Sequence, residues 1–136
     1  MQSLIVADYP RGIAVLEELV ARYPDEKDAY QLLGICYGYQ HQLQKSTDYY
    51  FKSLELDSLF ADGYAVLIRN LFSLGDYEKS VWASDKYISL KPNDAAPYAF
   101  RGDLEAMNGN LDGAIEWYNR AAQLDSVNCV DYLGIA

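Results

Sequence analysis

Tyrosine recurs at an interval of 34 residues, at Tyr30, Tyr64, Tyr98 and Tyr132, and most of the chain recurs with it. Twelve positions after each of the first three stands a turn-forming polar residue: Gln42, Asp76 and Asn110. The residue that follows, Leu43, Tyr77 or Leu111, opens a second periodic segment. A fixed period of this length means that one supersecondary unit is stacked several times, since a single unit cannot bury its apolar face alone. Binding of other proteins, rather than catalysis in a pocket, is the expectation for such a chain.

Inside one period the local chemistry is that of a helical hairpin. Residues 61–74 place Tyr64, Leu67, Ile68, Leu71 and Leu74 at i, i+3, i+4, i+7 and i+10, the spacing of an amphipathic helix. Gly75 can adopt the left-handed conformation that ends it, and Asp76 can cap the next helix. A second helix then runs from Tyr77 to Leu90, and Lys91-Pro92-Asn93-Asp94 ends it. The following period repeats each step: a helix over Ala95 to Asn108, the turn Gly109-Asn110, a helix over Leu111 to Leu124 and the exit Asp125-Ser126-Val127-Asn128. The preceding one runs over 27–60, with His41-Gln42 as its turn and Asp57-Ser58 as its exit. Before it, Asp8-Tyr9-Pro10 opens a helix through about Tyr23, with proline in the tolerated first turn. Residues 129–136 begin another first helix.

These recurrences resemble the tetratricopeptide repeat family. Counting Lys27, Ala61 and Ala95 as position 1, the first full unit matches the family pattern with Tyr30, Leu33, Gly34 and Tyr37. The second matches with Tyr64, Leu67, Gly75 and Pro92, and the third with Tyr98, Gly102, Gly109, Ala114, Tyr118 and Ala121. The resemblance implies an all-α fold, a right-handed α-solenoid of stacked antiparallel helix pairs. It covers residues 1–136 as a single array, with a partial repeat at 1–26, full repeats at 27–60, 61–94 and 95–128, and a partial repeat at 129–136. Three departures stand out. Ile68 replaces the position-8 glycine opposite Ser80, so those helices are expected slightly further apart. Tyr87 fills the usually small position 27. Arg101 and Glu105 fill usually apolar positions, four residues apart, and are expected to pair on the helix surface.

Charge and composition exclude several functions. Eleven basic against 20 acidic residues give a net charge of −9, unsuited to a nucleic-acid backbone or an anionic membrane. Cys36 and Cys129 lie 93 residues apart and, with the lone His41, form neither a disulfide framework nor a metal site. Small buried hydrophobes are the expectation for both cysteines, and a turn residue in place of glycine for His41. No phosphate-binding loop, nucleophile or general base is nominated, so no enzyme activity and no cofactor are expected. The N-terminus has no charged flank of a signal peptide, and no stretch reaches membrane length. A cytoplasmic location follows, although a removed upstream export signal would leave no trace.

The face turned away from the second helix carries the candidate site. Positions 2, 5, 9, 12 and 13 of the first helices cluster on one side. In an array resembling this family that side lines a concave groove. The candidate groove residues are Asp28, Gln31, Ile35, Tyr39, Asp62, Arg69, Phe72, Phe100, Asp103 and Met107. Apolar residues predominate, the reverse of a purely solvated face, so the groove is expected to take a protein or peptide segment. Some members of the family hold a terminal carboxylate with Lys, Asn and Arg. The matching positions here, Gln31, Ile35, Val66, Ala96 and Phe100, carry no cation, so that activity is not expected. A self-associating structural array, joined end to end through residues 1–6 and 129–136, is the alternative. A regulatory repeat fragment of a larger enzyme or transcription regulator is the third reading.

Overall fold

The computed structural model describes residues 8–133, and for 126–133 the backbone alone. Seven helices and no strand occur among them: α1 (Tyr9–Arg22), α2 (Lys27–Tyr39), α3 (Leu43–Leu56), α4 (Ala61–Ser73), α5 (Tyr77–Leu90), α6 (Ala95–Met107) and α7 (Leu111–Leu133). The chain divides into two compact units, 1–63 and 64–136, with the boundary inside α4.

In the first unit α2 packs on both α1 and α3. Its core is Ile13, Leu33 and Tyr37, with Leu16, Val20, Cys36 and Tyr49 packed around them. Cys36 is thus a half-buried packing residue, and burial pushes its thiol pKa up, away from the reactive thiolate. The Tyr49 ring stacks on Tyr37 at 5.7 Å and on Tyr30 at 6.2 Å. Tyr37 Oη donates to Glu17 Oε1 at 2.8 Å. Burial, then that carboxylate, raises its pKa to about 12, which keeps the phenol a donor. In the second unit α6 packs on α7 and α5.

The turns follow the sequence chemistry. Gly75 and Gly109 sit at φ +86° and +85°, and His41 takes the same left-handed region at +60°. Each turn closes with the same bond, from the amide of Gln42, Asp76 or Asn110 to the carbonyl of Tyr37, Leu71 or Glu105, all at 2.9 Å. This reverse bond satisfies carbonyls that the ending helix leaves unpaired. Asp76 Oδ1 accepts from the Lys79 amide and Asn110 Oδ1 from the Gly113 amide, both at 3.1 Å, capping α5 and α7. The recurring tyrosine also has a polar task. Tyr30 Oη donates to the Pro24 carbonyl at 2.9 Å and Tyr98 Oη to the Pro92 carbonyl at 2.8 Å, each tying a first helix to the loop before it.

One expectation about the helix ends needs correction. The exit expected at Asp125-Ser126-Val127-Asn128 does not break the chain, because α7 runs unbroken to Leu133. The exits that do break carry Pro24 or Pro92, or, at Asp57, a carboxylate that accepts from the Leu59 amide at 3.2 Å. Residues 125–128 contain no proline to remove a donor from the helical ladder.

Gly102 marks a close approach of α6 and α7. A Cβ there would lie 2.7 Å from the Tyr118 ring, so position 24 of the second helix comes close to position 8. Gly34 repeats this against Tyr50, also at 2.7 Å. A double-mutant cycle tests the contact. Gly102→Ala should destabilise the parent by about 1 kcal/mol through overpacking. In a Tyr118→Ala background the same change should stabilise by roughly 0.5–1 kcal/mol, the helix preference for alanine over glycine. Equal signs in urea unfolding of the two backgrounds would contradict the contact.

Candidate partner-binding site

Four of the ten candidate groove residues meet in one recess of the second unit. Arg69 on α4 and Phe100, Asp103 and Met107 on α6 line a pocket of about 310 Å³ together with Ile68, Ala106 and Tyr118. Ile68 is fully buried, while Met107 is 51% exposed. The spacing explains the shared face: residues 100, 103, 106 and 107 follow the three-and-four rhythm that puts side chains on one side of α6. Tyr118 reaches the pocket because its ring rests on the bare backbone at Gly102. Its hydroxyl donates to Asp103 across the two helices. That carboxylate, and secondarily burial, raises the Tyr118 pKa and keeps the hydroxyl protonated. The Phe100 ring also meets the Tyr87 ring edge-on at 5.8 Å. The result is an apolar recess with a cation, a carboxylate and a phenol among its walls.

The other candidates lie elsewhere. Phe72 is half-buried and does not line this pocket. In the first unit Asp28, Ile35, Tyr39 and Asp62 are exposed and Gln31 is half-buried. Tyr39 stacks on Tyr9 at 5.4 Å, which presents a flat aromatic pair to solvent. Periodicity placed nine of the ten on one helical face, with Phe100 at its edge. It carried no information on Tyr118, which belongs to the second helix of its pair and enters through the missing Cβ of Gly102.

Behind the pocket-bearing helix lies a polar cluster that the sequence suggested only as a surface pair. Glu105 is 7% exposed, and Arg101 is largely covered. Glu105 Oε1 accepts from Tyr77 Oη at 2.9 Å and from Arg101 Nε at 3.3 Å, and Oε2 accepts from Asn110 Nδ2 at 2.7 Å. Arg101 also reaches Asp85 at 2.8 Å and lies over the Trp117 ring at 5.1 Å. Burial acts to raise the Glu105 pKa, but the three donors outweigh it and hold the carboxyl below its ordinary value. The cluster is satisfied from within and ties α5, α6 and the turn before α7 together.

The described residues contain no group of three or more His, Cys, Asp or Glu able to hold a metal ion. No described helix is long and apolar enough to cross a membrane. Residues 66–128 match the family model for the tetratricopeptide repeat. A TPR repeat-containing protein of Methanocaldococcus jannaschii is 38% identical over 73 residues, which are 54% of this chain and 12% of that protein. The chain therefore spans a small part of the length of that relative. Among solved structures, one crystal structure of MamA superposes with a TM-score of 0.83 at 23% identity, over 93% of this chain and 74% of that one. A second gives 0.81 at 24% identity, over 90% and 67%. At such identities the likeness shows the fold, an all-α solenoid of antiparallel helix pairs.

Proposed function

We propose that the chain, residues 66–128 of which match the tetratricopeptide repeat, is a non-catalytic module that takes a partner's peptide segment into its concave groove. Repeats of this kind serve in general as protein–protein interaction scaffolds and are as a rule not enzymes. The observation that carries the proposal is the pocket at Arg69, Phe100, Asp103 and Met107. It is large enough for one apolar side chain, its walls are mostly apolar, and its charged groups can set the direction of a bound backbone. Asp28, Gln31, Ile35, Tyr39, Asp62 and Phe72 extend the proposed contact surface beyond the pocket, within a single array of repeats at 27–60, 61–94 and 95–128. A cytoplasmic location suits this role. Self-association, the alternative, concerns residues 1–6 and 129–136 and not this pocket.

The test is a peptide selected from a random displayed library against the parent chain and measured by calorimetry. Met107→Glu should weaken its binding at least about tenfold, the loss of a central anchor. The helical signal should be unchanged, because Met107 is half in solvent. Unchanged affinity in Met107→Glu and in Arg69→Glu would remove the pocket from the proposal.

A further inference from the structure

The pocket brings together two charged side chains that do not pair with each other. Arg69 on α4 and Asp103 on α6 both line it, and both are exposed. Among the described residues Arg69 has no hydrogen bond, ion pair or ring contact. The other arginines of the second unit are engaged. Arg101 meets Asp85, Glu105 and the Trp117 ring, and Arg120 lies over the Tyr98 and Trp117 rings. Asp103 Oδ1 accepts from the Tyr118 hydroxyl, while its Oδ2 has no partner among the described residues. In the open pocket water solvates both charges. A ligand that fills the recess removes part of that water, so a purely apolar segment would leave a cation and an anion desolvated and unpaired. A segment that brings a counter-charge to each avoids that penalty.

We propose that the pocket selects an internal peptide segment in which a large apolar residue is flanked by an acidic residue, set against Arg69, and a basic residue, set against Asp103. The apolar side chain occupies the recess among Ile68, Phe100 and Met107. The two flanking pairs fix which way the backbone runs, because the opposite charges of the site stand on different helices. Contacts on both flanks of the anchor need a chain that continues past it in both directions. The carboxylate is therefore a side chain's and not a chain end's. This inference rests on the pocket reading and adds to it the chemistry of the partner.

The probe is the best binder selected from a random displayed peptide library against the parent chain, synthesised with both ends blocked and measured by calorimetry. Selected sequences should carry a large apolar residue with Asp or Glu on one side and Lys or Arg on the other. Arg69→Glu should weaken the binder at least about fivefold, the size of one partly covered charge pair. Changing the binder's acidic residue to lysine should weaken it equally on the parent and restore its affinity for Arg69→Glu. Such a restoration cannot come from a misfolded variant. Asp103→Asn keeps an acceptor for Tyr118 and should weaken the original binder by a similar factor. Binding lost in Met107→Glu but unchanged in Arg69→Glu and Asp103→Asn would keep the pocket and overturn this inference. So would an exchanged pair that binds no better than either single change, or selected binders without the two flanking charges. Binders indifferent to Met107→Glu, or a library that yields none, would overturn the pocket reading and this inference with it.

Discussion

Glu105→Ala should destabilise the chain at neutral pH by about 3 kcal/mol, the order expected when one partner of a buried, hydrogen-bonded ion pair is removed. The substitution leaves Tyr77 Oη, Asn110 Nδ2 and one side of Arg101 without the acceptor each now has. Arg101 keeps Asp85 and the Trp117 face, which limits the loss. The cost should depend on pH in a stated direction. The folded-state pKa of Glu105 lies below its ordinary value, so its contribution is present above that ordinary value and fades as pH falls through the folded one. Urea unfolding of parent and variant at pH 7 and pH 3 should therefore show a gap that narrows in acid. A gap that is the same at both would mean that the side chain acts through packing and not through its charge.

Ile68→Gly should cost about 4 kcal/mol, combining the loss of a buried isoleucine side chain with the helix penalty of glycine. Position 8 holds glycine in the flanking repeats, where a tyrosine ring at position 24, Tyr50 or Tyr118, fills the space. In the middle repeat the sizes are exchanged: Ile68 at position 8 and Ser84 at position 24, both fully buried. On this pattern Ile68 is expected to fill the space that the tyrosine ring fills in the flanking repeats. Ser84 Oγ makes no hydrogen bond among the described residues, so replacing it breaks none. Adding Ser84→Tyr to Ile68→Gly restores the pair used on either side and should regain at least about 1 kcal/mol, a coupling of ordinary size for side chains in contact. Purely additive losses, measured by chemical unfolding, would show that positions 8 and 24 do not share one space in this repeat.

The sequence by itself determined the period, the helix pairs and their turns. Those depend on neighbours within about five residues: the apolar rhythm of Tyr64, Leu67, Ile68 and Leu71, the left-handed Gly75 and Gly109, the caps Asp76 and Asn110. It also placed Arg69, Asp103 and Met107 on one face, with Phe100 at its edge, because helical geometry converts spacing into direction. What only the tertiary structure decided involves residues brought together across helices. Spacing could not show that Glu105, at a normally apolar position, would be buried among donors from Tyr77, Asn110 and Arg101. Nor could it show Tyr118 lying over Gly102 into the pocket, or the Tyr30 and Tyr98 hydroxyls holding proline carbonyls six residues back. The end of α7 was misjudged for a related reason. A run of polar residues permits a loop, but only a missing donor or a competing cap enforces one, and 125–128 lacks the proline that ends α5 after Leu90.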